Sequence, residues 1–168
     1  MKVSNRPAFY IGGFLAVALS LGVTSAQAQD FGREVCREIG RTVPEPLGDR
    51  QGHAITHTES SCKTMDGLTA GAVRSENSLF EWDGTTATLV SAYGVDRGPG
   101  GGVMALQDVD AKIDLMVTAG GRPIGWSGSG HSIVTLASGP WEALKGKTIS
   151  WTARSTGLGE YEVVNTLQ

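Results

Sequence analysis

The residues of this 168-residue chain whose types could hold a metal or carry thiol chemistry are few: His53, His57, His131, Cys36 and Cys62. His53 and His57 stand four apart, a spacing that on a helix puts two imidazoles on one face, as zinc sites use. The residues between them, Ala54-Ile55-Thr56, read instead as a strand. Positions four apart on a strand lie about 13 Å from each other, at roughly 3.3 Å per residue. That is too far for one ion, so no metal site is expected, and no motif implies a cofactor. Cys36 and Cys62 lack both the C-x-x-C spacing of a redox pair and a thioredoxin-like βαβ context. An even pair in a chain that carries an export signal reads as a disulfide, and closing that loop would stabilise the fold by roughly 3.5 kcal/mol.

Two stretches imitate catalytic motifs. Gly125-Trp126-Ser127-Gly128-Ser129-Gly130-His131 invites a serine-hydrolase reading. The nucleophile elbow needs G-x-S-x-G on a strand-to-helix turn, whereas Ser129 occupies the last position and a β-like run follows. A glycine-serine loop feeding a strand is the better reading. Gly146-Lys147-Thr148 invites a phosphate-loop reading, but Trp141 stands where the first glycine is required, and no helix follows to offer its N-terminus. Glu76, Glu81 and Asp83 cluster near Trp82. General acid–base work needs such carboxyls to face one cleft, and solvated faces are their default. No catalytic residue is therefore assigned. Trp82, Trp126, Trp141 and Trp151 fill a core or, if one or two face an opening, line a ligand cavity. The residues that would line such a cavity are Arg74, Tyr93, Trp126 and His131, with Glu76 to be inspected beside them.

These residues must be positioned by short strands. Thr86 to Tyr93 places Ala87, Leu89, Ser91 and Tyr93 on one face. Ala111 to Thr118 alternates cleanly, as do Thr148 to Arg154 and Glu160 to Leu167. His53 to Glu59, Leu68 to Arg74, Asn77 to Trp82, Val103 to Leu106, Pro123 to Ser127 and His131 to Leu136 add shorter candidates. Turn signals recur at Asp83-Gly84, Ala119-Gly120-Gly121-Arg122, Ser138-Gly139-Pro140 and Thr156-Gly157-Leu158-Gly159. Arg97 to Gly102 reads as a mobile loop. The sum is eight to ten short strands, an all-β antiparallel sandwich or barrel. A closed barrel of about eight strands is favoured because closure removes sheet edges. Phe31, Val35 and Ile39, spaced four apart among charged residues, predict a short amphipathic helix over residues 30–42, stapled to the barrel through Cys36.

The N-terminus carries a targeting pattern. Lys2 and Arg6 form a basic start, Tyr10 to Val23 an apolar stretch, and Ala26-Gln27-Ala28 a small-x-small cleavage pattern. The expected division is a signal peptide over 1–28, an N-terminal segment and linker over 29–50, and the barrel domain over 51–168. Two of the 14 basic residues leave with the signal, so 12 remain against 17 acidic ones, a net charge of −5. An acidic surface argues against nucleic acid as a partner. No later apolar stretch is long enough to span a bilayer as a helix.

Four stretches carry a resemblance: Gly48-Asp49-Arg50-x-Gly52-His53 leading to Cys62; Ala119-Gly120-Gly121-Arg122-Pro123-Ile124; Ser138-Gly139-Pro140-Trp141-Glu142-Ala143-Leu144-Lys145-Gly146-Lys147; and Gly159-Glu160-Tyr161-Glu162-Val163. Together they resemble small exported bacterial proteins of unknown function with an allene oxide cyclase or dirigent-like β-barrel. Such barrels commonly carry G-T-G where Ser138-Gly139-Pro140 stands here. The resemblance implies a barrel with an apolar interior. No catalytic residue of the named enzymes matches a position of this chain, so none is carried over. The expectation is an exported, non-enzymatic envelope barrel, periplasmic or secreted, that binds a small apolar ligand or an envelope partner. An isomerase or cyclase acting inside the barrel is the alternative, on the resemblance alone.

Overall fold

The computed structural model describes residues 29–40 and 42–168. The expected signal peptide and its cleavage site lie outside the described residues. Nine strands form one antiparallel sheet: β1 (Gln29–Glu38), β2 (Glu45–Pro46), β3 (His53–Thr64), β4 (Val73–Asp83), β5 (Thr86–Arg97), β6 (Val103–Val117), β7 (Pro123–Ser138), β8 (Thr148–Gly157) and β9 (Glu160–Leu167). Their order is β1-β9-β8-β7-β6-β5-β4-β3-β2, and β1 also pairs with β3. The second pairing closes an eight-stranded barrel and leaves β2 as a short outer addition. The all-β barrel follows from alternation plus turn chemistry, as the sequence predicts.

The predicted helix over 30–42 is replaced by strand over residues 30–38. It is β1, the strand that closes the barrel, pairing with β9 and β3 at once. The four-residue spacing of Phe31, Val35 and Ile39 competes there with a period-two set, Glu34, Cys36 and Glu38. The period-two set wins because strand pairing satisfies the backbone on both sides, whereas so short a helix is marginal by itself. A bulge at Asp30–Gly32 shifts the register and lets Phe31 turn inward. Cys36 sits opposite Cys62 across this seam and is bonded to it. The disulfide thus clips the first barrel strand to its non-sequential partner.

Pairs of short candidates prove to be single long strands. The candidates Val103 to Leu106 and Ala111 to Thr118 join, as far as Val117, in β6 through an extra residue at Val109. Pro123–Ser127 and His131–Leu136 join in β7, so the glycine-serine run between them is strand rather than loop. Gly130 explains why glycine is used there. A Cβ on it would lie 2.7 Å from the Trp151 ring and collide with the Asp110 carbonyl. The predicted strand over 68–74 is mostly turn, and β4 begins at Val73.

One end of the barrel is filled. Phe31, Ala72, Met104, Leu106, Val134, Trp141, Leu144 and Ile149 form a buried apolar core. Trp141 and Leu144 enter it from a 3-10 turn over Gly139–Leu144. The Arg97–Gly102 stretch is not a free loop, since Gly98 and Gly102 pack on the Trp141 indole, where a Cβ at Gly98 would overlap the ring. Each large apolar side chain so buried contributes about 1.5–3 kcal/mol. The other end, where β1, β4, β6 and β8 finish, is open. Among the described residues no helix is long and apolar enough to cross a membrane.

Candidate functional site

The open half of the barrel encloses a cavity of about 700 Å³. Strand alternation builds its walls. Phe80 and Trp82 come from β4, Ile113 and Leu115 from β6, Trp126 from β7, Trp151 and Ala153 from β8, and Tyr161 and Val163 from β9. Thr56, Thr58 and Ser78 add small polar groups. Trp82 donates its indole N–H to Thr56 Oγ1 at 2.9 Å, and the Tyr161 hydroxyl donates to Ser60 Oγ at 2.8 Å. The Trp126 and Tyr161 rings meet at 5.2 Å between centroids, tilted by 53°. Burial, and then the nearby Glu76, push the Tyr161 phenol up from its ordinary value.

The floor of the cavity is ionic. Arg74, Glu76 and Asp108 line it, and Glu34 and Asp96 lie buried alongside. The Arg74 guanidinium donates to both Asp96 oxygens, Nε at 3.1 and 3.3 Å and Nη2 at 3.2 Å. Its Nη2 also lies 2.9 Å from Glu34 Oε1, and its Nη1 lies 3.8 Å from Glu76 Oε2. Burial opposes charge on Arg74, but Glu34, Asp96 and Glu76 outweigh it and hold the group protonated. Burial raises the Glu34 carboxyl although Arg74 pulls it down. Burial likewise pushes Glu76 up to about 7, against the pull of Arg74 and with help from Asp108. Asp108 is raised by burial too, despite a hydrogen bond from the Ser132 hydroxyl. A carboxyl that titrates near neutral pH, next to a fixed cation at the base of an apolar cavity, can hold or release a proton at a bound ligand.

The four candidate cavity residues divide evenly. Arg74 and Trp126 line the cavity. Tyr93 is 61% exposed on the outer surface, and His131 also faces outward, with its Nδ1 2.9 Å from Asp110. Two features place these residues. An extra residue at Val90 shifts the β4–β5 register between Leu79 and Phe80, and a bulge exchanges the two faces of a strand. Ala92, Gly94 and Asp96 therefore turn inward after it, and Tyr93 outward. On β7, Trp126 and His131 are five positions apart, so one continuous strand cannot point both inward. Glu76, singled out beside these four, does reach the floor. Glu81 and Asp83 do not: Glu81 lies 2.7 Å from His53 Nε2 on the outer face, and Asp83 pairs with Arg50 there.

Sequence reasoning passed over Glu34, Asp96, Asp108 and Tyr161. The signal for Glu34 was its period-two spacing with Cys36. Asp96 stands beyond the Val90 bulge, which no pattern announces, and Asp108 continues the inward alternation of Met104 and Leu106 just past the end of the predicted strand Val103 to Leu106. The Cys36 and Cys62 sulfurs, which lie near Glu34, are joined to each other and so are not thiolate ligands. Comparison with known proteins brings out no relative: no family model matches the chain, and no curated protein or solved structure matches it.

Proposed function

We propose that this chain is an exported barrel of the bacterial cell envelope whose open half holds one small, largely apolar molecule, without transforming it. The observation that carries this reading is the cavity of about 700 Å³ walled by three tryptophans and open at one end, within the size range of ligand sites. Eight-stranded barrels either fill their interior or hold one ligand, and this barrel does the first at one end only. Export is supported by the signal pattern of residues 1–28 and by the Cys36–Cys62 disulfide. The likeness to allene oxide cyclase or dirigent-like barrels belongs to the same proposal.

The test is a titration of the exported protein, purified without refolding, with the neutral probe N-phenyl-1-naphthylamine. The reading predicts saturable one-to-one uptake, abolished by Thr58→Trp, which fills the cavity. Absence of saturable uptake, or uptake unchanged in the variant, overturns it. The denatured mass checks export: it should equal residues 29–168 less two hydrogens. A second reading, an isomerase or cyclase in the same cavity, is favoured by one observation, the Glu76 carboxyl poised to exchange a proton at the floor. It requires Glu76→Gln to abolish turnover while leaving uptake intact.

A further inference from the structure

The chemistry of the cavity floor says what kind of head group the ligand carries. This step rests on the cavity being a ligand site. Four carboxyls, Glu34 on β1, Glu76 on β4, Asp96 on β5 and Asp108 on β6, surround one guanidinium. Arg74 is already committed. Asp96 takes its Nε and Nη2, Glu34 takes its Nη2, and only Nη1 remains, 3.8 Å from Glu76. Among the described residues that contact is the one ion pair of Glu76, and the side-chain partners of Asp108 are neutral donors, the Ser132 hydroxyl and the Trp151 indole, with no cation paired to it. Both of these carboxyls line the cavity. Beneath them, the Glu34 carboxylate is buried, with Arg74 Nη2 2.9 Å from its Oε1 as its one cation. The floor is therefore short of positive charge, not of negative.

The walls agree independently. Trp82, Trp126, Trp151 and Tyr161 present aromatic rings to the same space, and ring faces attract ammonium groups most strongly where water is excluded. We propose that the cavity selects an apolar amine, with its ammonium at Glu76 and Asp108 and its body against the tryptophans, and rejects an apolar carboxylate of the same size. A carboxylate would bring a further acidic group to a floor that already holds four and would find no unclaimed cation, since the guanidinium serves Glu34 and Asp96.

Binding should also depend on pH. The groups facing Glu76 are Glu34 from β1, Ser60 from β3, Arg74 from β4, Asp96 from β5, Asp108 from β6, Ser132 from β7, Trp151 from β8 and Tyr161 from β9. Of these, Arg74 stays charged, burial raises Glu34 and Asp108 above their ordinary range, and Glu76 changes state. With Glu76 near 7, its ionised fraction rises from about a tenth to about nine tenths between about pH 6 and about pH 8.

The experiment is calorimetric titration of the exported full-length product with three matched probes: 1-naphthalenemethanol, 1-naphthylmethylamine and 1-naphthoate. At about pH 8 the amine should bind roughly tenfold or more tightly than the alcohol, and the naphthoate more weakly than either. Affinity for the amine should fall roughly tenfold at about pH 6, while the alcohol does not change. Glu76→Gln should remove most of the amine's advantage and its pH dependence while leaving the alcohol's affinity in place. An alcohol that binds, with naphthoate as tight as the amine, overturns the charge selection and leaves the cavity reading standing. Failure of all three to bind overturns the cavity reading together with this one.

Discussion

Replacing Glu76 by glutamine should stabilise this protein, and by more as pH rises from acid to neutral. The Glu76 carboxyl is 23% exposed and is moved by burial from its ordinary 4.5 to about 7. A tenfold change in acidity corresponds to about 1.4 kcal/mol, so ionising Glu76 in the folded barrel costs about 3 kcal/mol more than in the unfolded chain. The folded state binds this proton more tightly than the unfolded state does. Its contribution to stability is therefore fully present below about 4.5 and is lost as pH rises through about 7. Glutamine keeps the shape of the protonated acid and cannot ionise. Urea unfolding under non-reducing conditions should put the variant ahead by about 1 kcal/mol or less at about pH 5 and by about 3 kcal/mol at about pH 8. Acid effects common to both proteins cancel in that difference. A gap that stays constant between the two pH values, or a parent protein that gains on the variant as pH rises, would refute the reasoning.

Arg74→Met should be far more damaging than its size change implies, costing about 3–5 kcal/mol, because Glu34 and Asp96 are then left buried without their cation; the same urea titration reads it, and a loss under 1 kcal/mol would contradict the ionic account. Replacing Cys36 and Cys62 together by serine should lower stability by roughly 3–4 kcal/mol, since the bond closes the barrel seam; a variant as stable as the parent would mean that β1 needs no clip. His53 sits between Asp49 and Glu81, whose hydrogen bonds raise its imidazole above the ordinary 6.5. Its stabilising contribution is present below about 6.5 and is lost as pH rises through the higher folded value. Proton NMR should show His53 titrating above 6.5, and titration at or below that value would refute the pairing.

The architecture was legible because it rests on short-range chemistry. Thr148 to Arg154 and Glu160 to Leu167 alternate without interruption and became β8 and β9 at the same positions. The Gly120-Gly121 turn and the break at Ser138-Gly139-Pro140 lie where the chain reverses. The site was only half legible, because facing depends on register over long distances. Arg74 and Glu76 lie on an unbroken stretch of β4, and both reached the floor. Tyr93 lies three residues past the Val90 bulge, and the inward face changed before it. For His131, reading the glycines at 128 and 130 as loop hid the parity that joins it to Trp126. Those glycines record constraints from other strands, the Trp151 indole of β8 at Gly130 and Lys112 and Ile113 of β6 at Gly128, which local pattern does not contain. The predicted helix over 30–42 failed for a related reason: β1 is held by β9 and β3, both distant in sequence.

The claim that everything else depends on is that a ligand enters one half of this barrel and not the other. The four tryptophans mark the two halves. Trp82, Trp126 and Trp151 line the cavity, and Trp141 is buried in the filled end. Heteronuclear NMR of the four indole N–H groups, recorded as 1-naphthalenemethanol is titrated into the nitrogen-15-labelled protein, reads both at once. The account predicts saturable shifts of the Trp82, Trp126 and Trp151 signals with Trp141 unmoved. Four stationary indoles, or a Trp141 signal that moves as far as the others, would contradict it.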